Sequence, residues 1–387
     1  MTAAATRPTP VPLTLLTGFL GAGKTTLLNR LLKDAALADT VVIVNEFGEI
    51  GLDHLLIEGV EDSMILLESG CLCCTIRDDL IVTLEDLLRR NDNGRILPFK
   101  RVVIETTGLA DPAPILNVLI NHPYLAMRFR LDGVLTLVDA VNGMATLDAH
   151  EEARKQVIAA DRIVLTKTDL AGSAEALETL RARLDALNPG VALLPATAPA
   201  RDLIGAGLYD LASRPDELRR WLAPEQLAER PAPADHGHGH GHHGHGHHAH
   251  DHGHGDHHHD HDHHHSHDHA HHHHDRNRHD ASIRAFVLTA EAPVGEATFD
   301  LFWTLLRSTH GSKLLRLKGL VALRESPDRP LLVHAVQQIL HPPILLERWP
   351  DGDHRSRLVM IVKDLDEAVV QRLWAAFLGR MAAVPAA

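Results

Sequence analysis

The chain has 387 residues, a formal charge of −13, 44% hydrophobic residues and only 4% aromatic residues. The length predicts two domains, the negative charge argues against binding a phosphate backbone, and the scarce aromatics argue against a base-stacking platform, so no nucleic-acid partner is expected. There is no apolar run of about eighteen residues to span a membrane, Met1 to Pro12 has no apolar core for a signal peptide, and the only cysteines, Cys71, Cys73 and Cys74, are too close for a disulfide framework, so a reducing cytoplasm is the expected compartment.

The chain is organised around Leu13 to Leu32. A short apolar run, Leu13, Leu15 and Leu16, predicts a buried parallel strand, and Thr25 to Leu32 repeats apolar residues at helical spacing. Between them, Gly18, four residues and then Gly23-Lys24-Thr25 fit the phosphate-loop pattern. A triphosphate needs closely approaching donors. Gly18, Gly21 and Gly23 let backbone N–H groups curl around the phosphates, and the following helix N-terminus faces the same oxygens. Lys24 is expected to reach the β/γ-phosphates and the Thr25 hydroxyl to ligate Mg²⁺, with Ala22 and Thr26 completing the loop.

Val41 to Val44 predicts a second strand, followed by Asn45-Glu46-Phe47-Gly48-Glu49-Ile50-Gly51-Leu52-Asp53, the place for an acidic switch segment. Gly70-Cys71-Leu72-Cys73-Cys74 follows. Thiolates suit zinc, Cu(I) and related ions, although C-x-C-C alone cannot close a four-coordinate site; the alternative is three small buried hydrophobes. Asp78 to Arg89 reads as a helix. Arg101 to Glu105 is an apolar strand ending in an acid, with Gly108 three residues on, as in a Walker B strand and a γ-phosphate-sensing turn, so Glu105 is expected to hold Mg²⁺. A helix begins around Ala110 to Pro114 and ends near His122. Gly133 to Val138 and Ile163 to Leu165 are further strands, the second ending in Thr166-Lys167-Thr168-Asp169. A carboxylate at Asp169 can accept two hydrogen bonds from a guanine edge while the Lys167 stem covers the ring; Thr166 stands where Asn is usual. With a helix over Ser173 to Leu187 and a strand over Leu193 to Thr197, the expectation is a doubly wound, mainly parallel α/β sheet over residues 1–215.

Residues 216–280 form a linker whose Asp235 to Asp280 stretch holds 25 of the 32 histidines, a composition that cannot pack a core but can collect metal ions. Residues 281–387 regain globular patterning. Strands are expected at Ile283 to Leu288, Leu314 to Leu323, Leu331 to Val336 and Leu358 to Val362, and helices at Thr298 to Ser308 and Leu365 to Leu378, giving a smaller α+β domain packed by Trp303, Trp349 and Trp374. Arg316 and Lys318 are expected as solvated edge charges; the alternative is that they face the nucleotide domain.

Together, Gly18 to Thr26, Asn45 to Glu49, Gly70 to Cys74, Glu105 to Gly108 and Thr166 to Asp169 resemble the CobW-type metallochaperones, a branch of the P-loop GTPases. The histidine-rich insert and the Leu-Lys-Gly of the C-terminal part fit the same family. The resemblance implies GTP-gated delivery of a transition metal, zinc before cobalt, to a client apo-metalloprotein. A homodimer is one assembly the sequence leaves open. It implies Cys73 and Cys74 as core thiolate ligands, with Cys71, Glu49 and His122 as further ligands and Glu46 and Asp53 on the switch surface near Mg²⁺. Val44 stands where some relatives carry a ligand-competent acid. Rival readings are a cobalt chaperone for cobalamin synthesis, an activator of a nitrile-hydratase-like enzyme, a passive histidine-rich metal buffer, and an ATP-dependent kinase, the last opposed by Asp169.

Overall fold

The computed structural model describes residues 9–45, 64–67, 75–205, 218, 222 and 282–379. Seven strands form one sheet: β1 (Val11–Gly18), β2 (Thr40–Asn45), β3 (Met64–Leu67), β4 (Arg101–Glu105), β5 (Phe129–Asp139), β6 (Arg162–Thr166) and β7 (Ala192–Pro195). Their order is β3-β2-β4-β1-β5-β6-β7 and every pair is parallel. Alternation along the strands serves two cores. Ile43, Val102 and Ile104 face helices α2 (Thr75–Asp92), α3 (Ala113–Asn121) and α4 (Pro123–Arg128), while Val42, Val44 and Val103 face α1 (Lys24–Leu32). Three more helices, α5 (Gly143–Ala149), α6 (Glu151–Ala159) and α7 (Ala174–Leu187), follow, with a short turn of helix, α8, at Ala200–Leu203. Ser173 caps α7 by accepting from the Ala176 amide, the start its sequence predicts.

The C-terminal part builds an antiparallel sheet from β8 (Ile283–Ala290), β9 (Leu314–Val321), β10 (Leu331–Val336), β11 (Ile339–Leu340), β12 (Ile344–Leu345) and β13 (Ser356–Lys363). Helices α9 (Glu296–His310) and α10 (Glu367–Gly379) cover one face, where Phe302, Trp303 and Trp374 meet Leu317, Val333 and Met360. Trp349 is buried in a separate cluster with Leu320 and Leu332. Leu218 and Leu222, from the stretch before the histidine-rich tract, pack there too.

The other face of this sheet docks on the nucleotide domain. Val336 and Ile339 join the core around α3, and Leu315 and Ile361 join the core around α6 and α7. This overturns the expectation of solvated charges at Arg316 and Lys318, each only 1% exposed. Arg316 donates through Nη1 to the carbonyls of Ile158 (2.6 Å) and Ala160 and through Nη2 to Asp161 Oδ1 (2.7 Å). Lys318 Nζ donates to the Pro189 carbonyl. Both side chains point to the face of β9 opposite Leu317, and the nucleotide domain covers that face. Among the described residues, no helix is long and apolar enough to cross a membrane.

Candidate functional site

The C-terminal ends of the parallel strands gather the expected nucleotide-binding residues at one edge. β1 runs into the loop Gly18–Gly23 and α1 starts at Lys24. Gly23 caps α1 in the left-handed region (φ 87°), a conformation only glycine adopts without strain. Lys24 Nζ donates to the loop's own carbonyls, Gly18 O at 3.0 Å and Phe19 O at 3.3 Å. The Thr25 hydroxyl donates to Glu105 Oε1 at 3.1 Å, so the Walker B acid, 5% exposed, sits beside the first turn of α1. A hydroxyl and a carboxylate side by side form a hard-oxygen donor set that suits Mg²⁺.

The turn after β4 lies against the loop. A Cβ on Gly108 would come within 2.5 Å of the Leu20 amide nitrogen, so only glycine permits this approach. The Thr106 amide continues the sheet ladder by donating to Leu16 O (2.9 Å), and its hydroxyl donates to Thr17 Oγ1 (2.8 Å).

The Thr166–Asp169 tetrad, expected to read guanine, is joined to the same loop. The Thr166 hydroxyl donates to Ala22 O at 2.9 Å and the Gly23 position lies close to its methyl group, so Thr supplies a direct link at the first position. Lys167 has left-handed backbone (φ 54°), and its Nζ donates to Asp139 Oδ2 at 2.7 Å. Asp169 is exposed in the short turn that follows. Burial works to raise the Asp139 pKa, but hydrogen bonds from Lys167, Val141 and Asn142 outweigh it and hold the carboxyl below its ordinary range.

Asp139, Gln156 and His150 support the site although sequence reading gave them no role there. Gln156 Nε2 donates to the carbonyls of Gly108 (3.1 Å) and Ala110 (3.0 Å). His150 stacks on Phe19 with ring centroids 4.4 Å apart. Asp139 had a sequence signal, since it ends a strand as Glu105 does. Gln156 and His150 had none, because their partners are remote in sequence.

Of the expected metal ligands, His122 is described. It joins α3 to α4, with Nδ1 accepting from the Leu125 amide at 3.4 Å and Nε2 3.9 Å from Glu85 Oε1. Glu49, Cys71, Cys73 and Cys74, together with Glu46, Asp53 and the histidine-rich tract, lie outside the described residues. The strands that lead into the acidic and cysteine segments are neighbours: Asn45 and Leu67, their last residues, are register partners, and Val44 is in turn the partner of Glu105.

Residues 12–195 match the CobW/HypB/UreG nucleotide-binding domain, and residues 283–378 match the cobalamin synthesis protein cobW C-terminal domain. The zinc chaperone YjiA of Escherichia coli (strain K12) is 47% identical over 180 residues, covering 46% of this chain and 56% of the relative. The zinc-regulated GTPase metalloprotein activator 1 of Schizosaccharomyces pombe is 39% identical over 186 residues, covering 46% and 44%. The chain thus spans about half the length of the curated relatives it matches. The solved structure of Zn(II)-bound YjiA GTPase from E. coli has a TM-score of 0.60 at 27% identity, covering 96% of this chain and 99% of that one. A Zn(II)-bound triple mutant of the same GTPase gives 0.63 at 26% identity, covering 96% and 99%. Two domain matches in the right order, on a fold shared from end to end, show that the chain belongs to the CobW family of P-loop GTPases.

Proposed function

We propose that this protein is a GTP-hydrolysing metallochaperone that binds a transition metal, zinc first, at its C-x-C-C turn and hands it to a client apo-metalloprotein under control of the nucleotide. The observation that carries this reading is the adjacency of β4, β2 and β3. The strand ending in Glu105 lies beside the strand leading to Glu49 and Asp53, which lies beside the strand leading to Cys71, Cys73 and Cys74. A change at the phosphates therefore has a short route to the ends of β2 and β3, from which the acidic and cysteine segments continue in sequence. Relatives named as zinc chaperones and as a zinc-regulated GTPase activator favour zinc over cobalt.

In this reading Lys24 turns from the loop carbonyls to the β/γ-phosphates, and Gly108 offers its amide to the γ-phosphate. Gly18, Gly21, Ala22, Gly23 and Thr26 line the phosphate cradle. Thr25 and Glu105 hold Mg²⁺, which supplies neutralisation of phosphate charge. Asp169 accepts from the guanine edge, with Lys167 aligned over the ring by Asp139. Cys73 and Cys74 supply thiolates, and Cys71, Glu49 and His122 complete the ligand set. GTP pre-organises this set and hydrolysis relaxes it, so affinity for metal follows the nucleotide.

The test is zinc and cobalt affinity with Mg²⁺–GTP, with Mg²⁺–GDP and without nucleotide, for the full chain and for a form lacking residues 235–280. Cobalt–thiolate absorption reports cysteine ligation. The triple mutant of YjiA with one glutamate and two cysteines replaced by alanine is still Zn(II)-bound, so zinc binding alone does not identify the cysteine turn. Tight binding only with GTP, abolished by Cys73→Ala, supports the reading. Binding indifferent to nucleotide sinks it, and loss of all binding with the tract leaves a passive buffer.

A further inference from the structure

We propose that the C-terminal domain senses the nucleotide state through the turn Gly108–Asp111, with Gln156 and Gln337 as its positioning residues. This rests on the GTPase reading above and goes beyond it, because it assigns the C-terminal domain a part in the nucleotide cycle.

The turn is held from three directions. On one side Gly108 lies against the phosphate loop at Leu20, with no room for a side chain. From below, Gln156, 1% exposed on α6, donates to both Gly108 O and Ala110 O, so the turn's backbone is fixed by one amide. From the C-terminal domain, Gln337 sits at the tip of the β10–β11 hairpin with left-handed backbone (φ 51°). Its Nε2 reaches both carboxylate oxygens of Asp111, at 3.1 and 3.0 Å. Asp111 also accepts from the Ala113 amide at 3.0 Å, fixing the start of α3, and has Lys155 Nζ 3.5 Å away.

The α6 helix carrying Gln156 is tied to the same domain. At its C-terminal end the carbonyls of Ile158 and of the C-cap residue Ala160 accept from Arg316, which also pairs with Asp161. At its other end Glu151 pairs with Lys363 of β13 at 3.0 Å. Both supports of the Gly108 turn thus lead to the C-terminal sheet, one directly at Gln337 and one through α6. A turn that shifts to bring its amide to a γ-phosphate must carry the Gln337–Asp111 contact with it or strain it. By linkage, a C-terminal domain that favours one position of the turn also biases the choice between GTP and GDP. Contiguity shows a route; the coupling is what the experiment measures.

The experiment titrates the full chain with GDP and with a non-hydrolysable GTP analogue, for the wild type, Gln337→Ala, Gln337→Glu, Asp111→Ala and the Asp111→Ala/Gln337→Ala double variant. Gln337→Glu sets two carboxylates against each other. The expected result is a shift of about fivefold or more in the GTP-to-GDP affinity ratio, in the range of typical allosteric couplings, with the melting temperature nearly unchanged in Gln337→Ala. The double variant should shift the ratio no further than Asp111→Ala alone. Gln156→Ala should shift it in the same direction, but its buried site makes Gln337 the decisive position. Ratios equal to wild type in both Gln337 variants would overturn the coupling while leaving the GTPase reading intact. A wild-type chain that binds neither nucleotide would overturn both.

Discussion

Two lysines of this chain occupy opposite environments. Lys24 lies in a glycine-rich loop whose sequence spacing announces its task, and its nearest partners, Gly18 O and Phe19 O, are its sequence neighbours. Lys318 is 1% exposed, and its partner carbonyl at Pro189 is 129 positions away. In the proposed function the first charge serves a ligand, whereas the second, with Arg316, fastens one domain to another. Burial pushes the Lys318 pKa well down, nearby Arg316 adds to this, and Asp161 and Asp185 oppose it. Burial also pushes Asp161 up and Arg316 down, and their ion pair resists both shifts. A functional charge keeps access to its ligand; a fastening charge is enclosed and needs every bond it makes.

Removing the guanidinium should break this comparison most sharply. Arg316→Ala leaves Asp161 buried without its ion pair and two carbonyls short of a donor, and should cost about 3–5 kcal/mol of stability in denaturant unfolding. Replacing both partners, as Arg316→Met with Asp161→Asn, should recover a good part of that loss. If Arg316→Ala unfolds like the wild type, the interface is not held by this pair. Lys24→Ala should do the reverse, leaving the midpoint of unfolding nearly unchanged while lowering the hydrolysis rate about 100-fold or more, as loss of a transition-state charge partner does.

The same contrast explains what could be read from the sequence. The strand–loop–helix unit around Lys24, the strand ending at Glu105 and the tetrad at Thr166 to Asp169 are local patterns, and the described structure gathers them at one sheet edge. The parallel sheet followed from apolar runs alternating with helical spacing. β3 was hidden because Met64–Leu67 is four residues long and merges with the cysteine turn in sequence. The helices α5 and α6 carry weaker patterns, and Gln156 and Arg154 take buried places on α6 where period rules expect apolar residues. Arg316 and Lys318 misled for a physical reason. Alternation along β9 correctly puts them opposite Leu317, but what covers that second face is set by a domain more than a hundred residues earlier. The cysteine turn, Glu49 and Asp53 lie outside the described residues, so their expected role rests on residue chemistry and family membership.

A pH series sharpens the interface side. His334 and His341 pack with ring centroids 4.3 Å apart under the docked sheet. Arg316 and Lys318 lie on neighbouring β9, and Asp161 and Arg130 line the same cavity. Burial, with His341, Arg316 and Lys318 adding to it, pushes His334 well down; burial and Arg316 push His341 down from 6.5 to about 3. Between those values the unfolded chain binds more protons than the folded one, so stability rises with pH across the window. It is fully present above pH 6.5 and is lost as acid approaches pH 3. The slope is at most about 1.4 kcal/mol per pH unit for each histidine. Unfolding midpoints measured from pH 7.5 to 5 should fall, and His341→Gln should flatten the decline. A decline unchanged in that variant would assign the acid sensitivity to other groups.

The smallest expected effect concerns the single hydroxyl that joins the Thr166–Asp169 tetrad to the glycine-rich loop. Thr166 Oγ1 donates to Ala22 O at 2.9 Å, and Thr166→Val keeps the shape while removing the donor. The Ala22 carbonyl then loses a buried bond, at a cost of about 1 kcal/mol. In the proposed function the loop and the tetrad serve GDP and GTP alike, so both affinities should fall by a similar factor, about fivefold. That pattern is the opposite of Gln337→Glu, which should alter the ratio of the two. Thr166→Ser, which retains the hydroxyl, should restore most of the loss. If Thr166→Val changed the ratio instead, the tetrad would sense the γ-phosphate, and the division between a shared nucleotide grip and a state-sensing turn at Gly108 would fail.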